Sequence, residues 1–169
     1  FGQRFVDRPG EPLDDQRQWY RYHHLFAEVL HAHALEEQPG QIPLLHKRAS
    51  VWYEQNNLPA EAIRHALAAR DFERAAGLIE KTYPAMDSSF QSAAWLGWVR
   101  KLPDEVVRAR PVLSVDYARA LSDSGEFDAS MSWLQEAEQR LEGSAEGMVV
   151  ADETQFRTLP AMIALAHSY

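Results

Sequence analysis

The spacing of apolar positions changes near the beginning of the chain, within residues 19–26. Aromatic residues alternate along the first half of this run, and apolar residues then recur every three or four positions. Alternation is typical of a strand and the wider spacing of a helix. We therefore predict a strand over residues 19–22, a partner strand at Phe5-Val6 and a first helix over residues 24–37.

Beyond residue 40 the pattern predicts helices throughout. Seven helix starts are expected, near Pro43, Pro59, Asp71, Ser88, Pro111, Glu126 and Asp152. Proline suits the first helical turn because its missing N–H would be unpaired there. Short connections make neighbouring helices antiparallel, as in an α-solenoid. The fold class predicted is all-α, an antiparallel helical-hairpin array, with strand confined to about the first 23 residues. The domain boundary is placed at Pro39-Gly40, which separates residues 1–40 from residues 41–169.

One stretch carries a repeat pattern of small and large residues. Its members are Ala118, Leu121, Gly125, Phe127, Ser130, Leu134 and Ala137. The pattern resembles a tetratricopeptide repeat, in which small residues allow two helices to cross closely and a glycine forms the turn. Ser130 stands in place of the usual alanine, and in an earlier, weaker copy Arg70 stands in place of the turn glycine. We expect Ala62, Ala66 and Ala75 to lie at similar close crossings.

Composition restricts the class of protein. The 169 residues are 46% hydrophobic and include no cysteine, which excludes disulfides and thiolate metal sites. No apolar run approaches the length that spans a bilayer.

The net charge of the chain is −8, and residues 114–169 hold ten acids and three bases. This part of the chain should therefore repel nucleic acid. We expect a cytoplasmic protein that binds neither DNA nor membranes. The first residue, Phe1, and the apolar helix at the end indicate a piece of a longer protein.

Several motifs occur together in a fixed order. They are Leu13-Asp14 before the aromatic run Trp19 to Phe26, then Leu45 to Tyr53, Ala60 to Ala69, Asp71 to Ala76, Trp95-Leu96, Leu102 to Val106 and Arg110-Pro111. This order closely resembles MalT-type regulators of the LuxR transcription-factor superfamily, over about residues 13–141. The chain departs from the family at Ser88-Ser89, where an Arg-Gly turn is frequent.

The resemblance implies a function. In this family an ATPase binds ATP, a helical-repeat region binds an inducer, and both control oligomerisation and DNA binding by a further domain. The present chain contains no phosphate-binding loop motif and no basic recognition helix. By resemblance, residues 1–40 are the end of a winged-helix domain and residues 41–169 the start of the sensor. Its partners would be the ATPase and winged-helix domains, a small-molecule inducer or protein effector, and possible further copies of itself.

Two other functions were compared with this one. A generic protein-binding scaffold without a small ligand is the alternative. An enzyme is not expected, because no nucleophile, base and orienting group occur at a recognisable spacing. No cofactor is expected in this chain, although ATP is implied for the full-length protein.

A few residues are candidates for binding. By resemblance, His23 is placed to contact the phosphate of a bound nucleotide, although a histidine that bonds a backbone carbonyl is the more common case. Trp52, Tyr53, Trp95 and Trp98 are candidates for a ligand groove, since aromatic rings with a polar atom can stack on sugar-like or drug-like ligands.

The remaining histidines are given structural roles. His24, Glu28 and His31 have the spacing of one helix face, but that spacing is common by chance, and no metal site is predicted. His46 and His65 lie beside apolar residues on separate predicted helices. We interpret them as satisfied core or groove histidines.

Overall fold

The computed structural model describes residues 3–4, 20–21, 40–143 and 147–166. The chain divides into two compact units, residues 1–42 and 43–169. In the first unit, β1 (Gln3–Arg4) pairs antiparallel with β2 (Tyr20–Arg21). The strand β2 therefore lies inside the predicted strand, but its described partner begins two residues before the predicted Phe5-Val6. Those two residues and the helix predicted over residues 24–37 lie outside the described residues.

The rest of the described chain is helical, which confirms the all-α fold class. The helices are α1 (Gln41–Gln55), α2 (Pro59–Ala68), α3 (Phe72–Ser88), α4 (Ser92–Val99), α5 (Asp104–Arg108), α6 (Pro111–Asp123), α7 (Phe127–Glu142) and α8 (Glu153–Ala166). Within the described ranges, none of these helices is both long enough and apolar enough to cross a bilayer.

The helix starts follow from local chemistry. Pro59 and Pro111 are the first residues of α2 and α6, as predicted. The Asp71 side chain caps α3 by accepting a backbone N–H three residues further on, at 3.4 Å. The Asp152 carboxylate accepts two backbone N–H groups in the first turn of α8, at 2.7 and 3.1 Å. Each acid satisfies donors that a helix start leaves unpaired.

Two predicted starts need correction. Helix α1 begins two residues before Pro43. Ser88 is the last residue of α3, and α4 begins only at Ser92. The Ser88 hydroxyl donates to the carbonyl of Ala85 at 3.1 Å, so it closes one helix instead of starting the next. The five-residue helix α5 was not predicted, because it is too short to show a period.

Four turns of the array share one geometry. The second residue after each helix end has a positive φ: 56° at Asn57, 55° at Arg70, 57° at Phe90 and 81° at Gly125. In each turn the following N–H donates to the carbonyl five residues earlier, at 2.8 to 3.0 Å. This arrangement is the Schellman motif, which usually has glycine at the positive φ. Arg70 therefore takes the glycine position that the repeat pattern indicates.

Helix α6 is the centre of the second unit. Nine of its 13 residues are buried, and it packs against α3, α4, α5, α7 and α8. One core cluster joins residues from α2 to α6, and a second joins α6, α7 and α8. A helix that is buried on most of its surface can contact several neighbours at once. Polar side chains on α6 are therefore held by more than one neighbouring helix.

Small residues mark the close crossings. Ala62, Ala66 and Ala75 are completely buried. At two crossings a buried serine also donates to a carbonyl on the facing helix: Ser50 to Ala62 at 2.8 Å, and Ser130 to Ala118 at 2.7 Å. The serine that replaces the repeat alanine at position 130 thus adds a hydrogen bond between helices.

Enlarging one of these alanines should separate two helices. We expect Ala66→Leu to lower the free energy of unfolding by about 1 to 3 kcal/mol through overpacking. Ala69→Leu, at the end of α2 and 8% exposed, should lower it clearly less. Urea denaturation of both variants measures the difference. Equal losses would contradict the assignment of the crossing to Ala66.

Candidate functional site

The predicted aromatic residues do not form one surface. Trp95 is completely buried, and its Nε1 donates to the Ile79 carbonyl at 2.9 Å. Trp98 is half-buried against the same core cluster. Helix α4 is apolar on almost all sides, so its tryptophans pack into the core. Trp95 therefore offers no face on which a ligand could stack.

Trp52 and Tyr53 lie on α1, where their rings meet edge to face at 5.1 Å. Trp52 is 40% exposed. Tyr53 stacks on the His65 ring at 5.2 Å. These contacts place the two residues beside a histidine pair, away from the walls of the cavity and the groove described below.

The structure brings His46 and His65 together. Their Nδ1 atoms are 2.7 Å apart, so one ring donates a hydrogen bond to the other. Burial, together with the positive charges of Arg64 and of His46, lowers the pKa of His65, and Glu61 opposes the effect. The pair was not predicted, because periodicity places each residue on its own helix and says nothing of their distance.

The other candidate histidines fall outside the described residues. These are His23, the predicted nucleotide contact, and the metal-spaced set His24, Glu28 and His31. In the ranges that the structure does describe, no group of three or more His, Cys, Asp or Glu side chains could hold a metal ion. The roles given to these four residues stay predictions.

A cavity of about 300 Å³ lies between α3, α6 and α8, and we call it the polar cavity. Its lining comes from Tyr83, Pro84 and Asp87 of α3, from Val112, Asp116 and Arg119 of α6, and from Gln155, Thr158, Leu159 and Met162 of α8. The volume is at the lower end of the range for small-molecule sites. Three helices therefore meet around a space with both polar and apolar walls.

The charges around the polar cavity are unbalanced. The Arg119 guanidinium lies 3.5 Å from the Asp87 carboxylate. Asp116 is only 6% exposed and forms no ion pair with any described residue. Burial raises the pKa of Asp116 to about 7, with Arg119 opposing and the carboxylates of Glu80 and Asp87 reinforcing the rise. Such a carboxyl group exchanges its proton near neutral pH.

Tyr83 lines the same space, and its hydroxyl is buried. The side chain is 2% exposed, and its hydroxyl has no hydrogen-bond partner among the described residues. Burial raises the pKa of Tyr83, with smaller effects from Arg119, Asp87 and Asp116. The Arg119 guanidinium lies 5.6 Å from the centre of the Tyr83 ring. Buried hydroxyls are normally paired, so an unpaired one beside a cavity marks a place where a further polar group would be stabilising.

An ion network joins the buried Arg110 and Glu80 with the exposed Glu73. Arg110 lies at the start of α6, 7% exposed, and its Nη2 donates to the Glu73 carboxylate at 3.2 Å. Its Nη1 lies 3.7 Å from the Glu80 carboxylate, which is 4% exposed. Burial raises the pKa of Glu80, and Arg110 opposes that rise. Because the network ties α3 to α6, it holds Tyr83 and Asp116 near each other.

A larger groove of about 800 Å³ adjoins the polar cavity, and we call it the apolar groove. It is lined by Arg119, Ser122, Asp123, Phe127, Ser130, Met131, Leu134, Met162 and Ala166. Phe127 and Met131 are 64% and 40% exposed. Arg119 and Met162 belong to both walls, so the two spaces meet at these side chains.

Sequence reasoning did not single out Tyr83, Asp116 or Arg119. One signal was present: Asp116 is the single charged residue in a mainly apolar stretch of α6, over residues 111–118. An acid at such a position is seldom fully buried without a partner. No pattern in the sequence, however, indicates that Tyr83 lies beside it, because the two residues are on different helices.

Comparisons with known proteins agree with the family resemblance at a coarse level. Residues 9–42 match the MalT winged helix domain. The chain is 36% identical over 110 residues to the serine/threonine-protein kinase PknK of Mycobacterium tuberculosis, and equally to that of Mycobacterium bovis. The match covers 64% of this chain and 10% of each relative, so the chain spans about a tenth of their length. No solved structure matches. These similarities support a MalT-like family and point to multidomain proteins of the regulator type.

Proposed function

We propose that the chain is a sensor segment of an ATP-dependent, MalT-like bacterial transcriptional activator, and that the polar cavity is its effector site. The observation that carries the proposal is a cavity on the central helix α6 whose lining includes two buried residues. Asp116 forms no ion pair with any described residue, and the Tyr83 hydroxyl has no hydrogen-bond partner among them. The match to the MalT winged helix domain supports the family. ATP binding, DNA binding and oligomerisation would belong to other domains, in the bacterial cytoplasm.

The proposed coupling works through packing. Helix α6 contributes to both core clusters, so a ligand that contacts α3, α6 and α8 changes the relative stability of their arrangements. A ligand shifts an equilibrium only by its difference in affinity for the two states. The segment acts without catalysing a reaction, and its output is a change in the self-association of the full-length protein.

Filling the polar cavity tests the proposal. Thr158 is exposed and lines the cavity, whereas Thr154 is exposed on the same helix and does not. In the full-length protein with ATP, we expect Thr158→Phe to change the fraction of oligomer by about fivefold or more, and Thr154→Phe to leave it unchanged. Sedimentation velocity and a transcriptional reporter measure the effect. A folded Thr158→Phe variant that behaves like the parent in both assays would remove the cavity from regulation.

The alternative is a protein-binding scaffold without a small ligand, and the exposed Phe127 and Met131 in the apolar groove favour it. It makes the opposite prediction in the same assays. Met131→Glu, which adds a charge to the groove, would then change the oligomer fraction and the reporter signal. Thr158→Phe would change neither.

A further inference from the structure

We propose that the polar cavity binds a small organic cation, a primary ammonium group on a short carbon chain. The inference rests on the proposed function for its biological meaning, since it names the ligand class of the same site. Its binding test is independent of any regulatory output.

The charge of the cavity walls selects a cation. The charged lining residues are Asp87, Asp116 and Arg119. Because Arg119 is paired with Asp87, ionised Asp116 leaves an excess of one negative charge. Glu80, which is 4% exposed, adds to the negative potential at Asp116. An anionic ligand would have to enter against these acids, whereas one positive charge balances the site.

The polar atoms match the donors of an ammonium group. That group carries three N–H donors and no acceptor. In the proposed complex the Asp116 carboxylate accepts one N–H and the unpaired Tyr83 hydroxyl a second, and Asp87 is a third polar acceptor in the lining. Binding would give both the Tyr83 hydroxyl and the Asp116 carboxylate a hydrogen-bond partner, the ammonium group of the ligand.

The remaining walls limit the body of the ligand. Pro84, Val112, Leu159 and Met162 supply apolar surface, and the volume is about 300 Å³. A chain of a few carbons fits such a space. A metal ion fits less well, because no group of three or more suitable ligand side chains occurs in the described ranges.

Propylammonium is the experimental probe, with 1-propanol as a neutral control of the same size and propionate as an anionic control of the same chain length. Calorimetric titration of the 169-residue chain, at pH 8 and constant ionic strength, should give saturable binding of propylammonium in the range of about 0.05 to 5 mM, as expected for four heavy atoms. Both controls should bind at least about tenfold more weakly. Equal affinity for 1-propanol would overturn the proposal, because charge would then play no part.

Three variants locate the binding. Asp116→Asn should weaken it by about tenfold or more. Tyr83→Phe should weaken it by a few-fold and also raise Tm without ligand, because it removes a buried unpaired hydroxyl. Asp128→Asn, at an exposed acid outside both spaces, should change neither. Binding that is unaffected by Asp116→Asn and Tyr83→Phe is a general attraction to an acidic protein and refutes the site.

Affinity should also depend on pH. Below about pH 7 a proton competes with the ammonium group for Asp116, so binding weakens as the pH falls. The groups that face Asp116 are Arg119 from its own helix and Glu80, Tyr83 and Asp87 from α3. Helix α8 contributes the uncharged Gln155 and Thr158 to the lining. A pH-independent affinity between pH 5 and 8 would exclude Asp116 as the main acceptor.

The two proposals can fail separately. Propylammonium binding at the cavity without any effect of Thr158→Phe on the full-length protein would keep the ligand class and overturn the sensor function. A regulatory effect of Thr158→Phe without propylammonium binding would keep the sensor function and overturn the ligand class.

Discussion

Replacing Trp95 by alanine should lower the free energy of unfolding by about 3 to 5 kcal/mol. The side chain is completely buried, and its ring lies 4.6 Å from that of Tyr83. Its Nε1 also donates to the Ile79 carbonyl at 2.9 Å, which ties α4 to α3. The substitution leaves a large cavity and removes this hydrogen bond. Urea denaturation followed by circular dichroism measures the loss.

Two further variants separate packing from the hydrogen bond. Trp95→Phe keeps much of the buried ring and loses the donor, so its loss should be intermediate. Trp98→Ala, on the same helix at a half-buried position, should lose clearly less than Trp95→Ala. If Trp98→Ala were as damaging as Trp95→Ala, the core would be centred on a different face of α4.

The helical part of the fold could be predicted because its signals are local. A proline at the first helical position, or an aspartate before it, acts within one turn, and this explains the correct starts at Pro59, Pro111 and Asp152. The aromatic alternation likewise acts locally, and β2 lies within the predicted strand.

The error at the start of α4 arises where a local signal is missing. Phe90 adopts a positive φ of 57° in a turn where glycine would be the usual residue. The sequence therefore contains no glycine signal for this turn, and the start of α4 was placed too early.

The candidate site could not be predicted for a different reason. Its polar side chains come from α3, α6 and α8, and their convergence depends on how three helices pack. The sequence drew attention to tryptophans, but Trp95 fills the core, and the polar cavity is formed by Tyr83, Asp116 and Arg119. Periodicity identifies which face of a helix is buried and not which buried residues meet.

The burial of Asp116 should reduce the stability of the unliganded protein at neutral pH. The pKa of this carboxyl group is about 7 in the folded chain and ordinarily 3.8. The folded state therefore holds its proton more tightly than the unfolded state. The stability that this proton provides is fully present below pH 3.8 and is lost as the pH rises through about 7.

Asp116→Asn should consequently stabilise the protein, by about 2 to 4 kcal/mol at pH 8. Asparagine has nearly the shape of the protonated acid and carries no charge at any pH. The gain should shrink as the pH falls through 5 and vanish near pH 3, where the parent acid is protonated in both states.

Asp123→Asn, a substitution of an exposed acid on the same helix, should change the free energy of unfolding by less than about 0.5 kcal/mol. Urea denaturation of the three proteins at pH 3, 5 and 8 measures these differences. A destabilised Asp116→Asn variant at pH 8 would mean that the carboxylate is already stabilised in the fold, and Asp116 would then be a structural residue with no need of a cationic ligand.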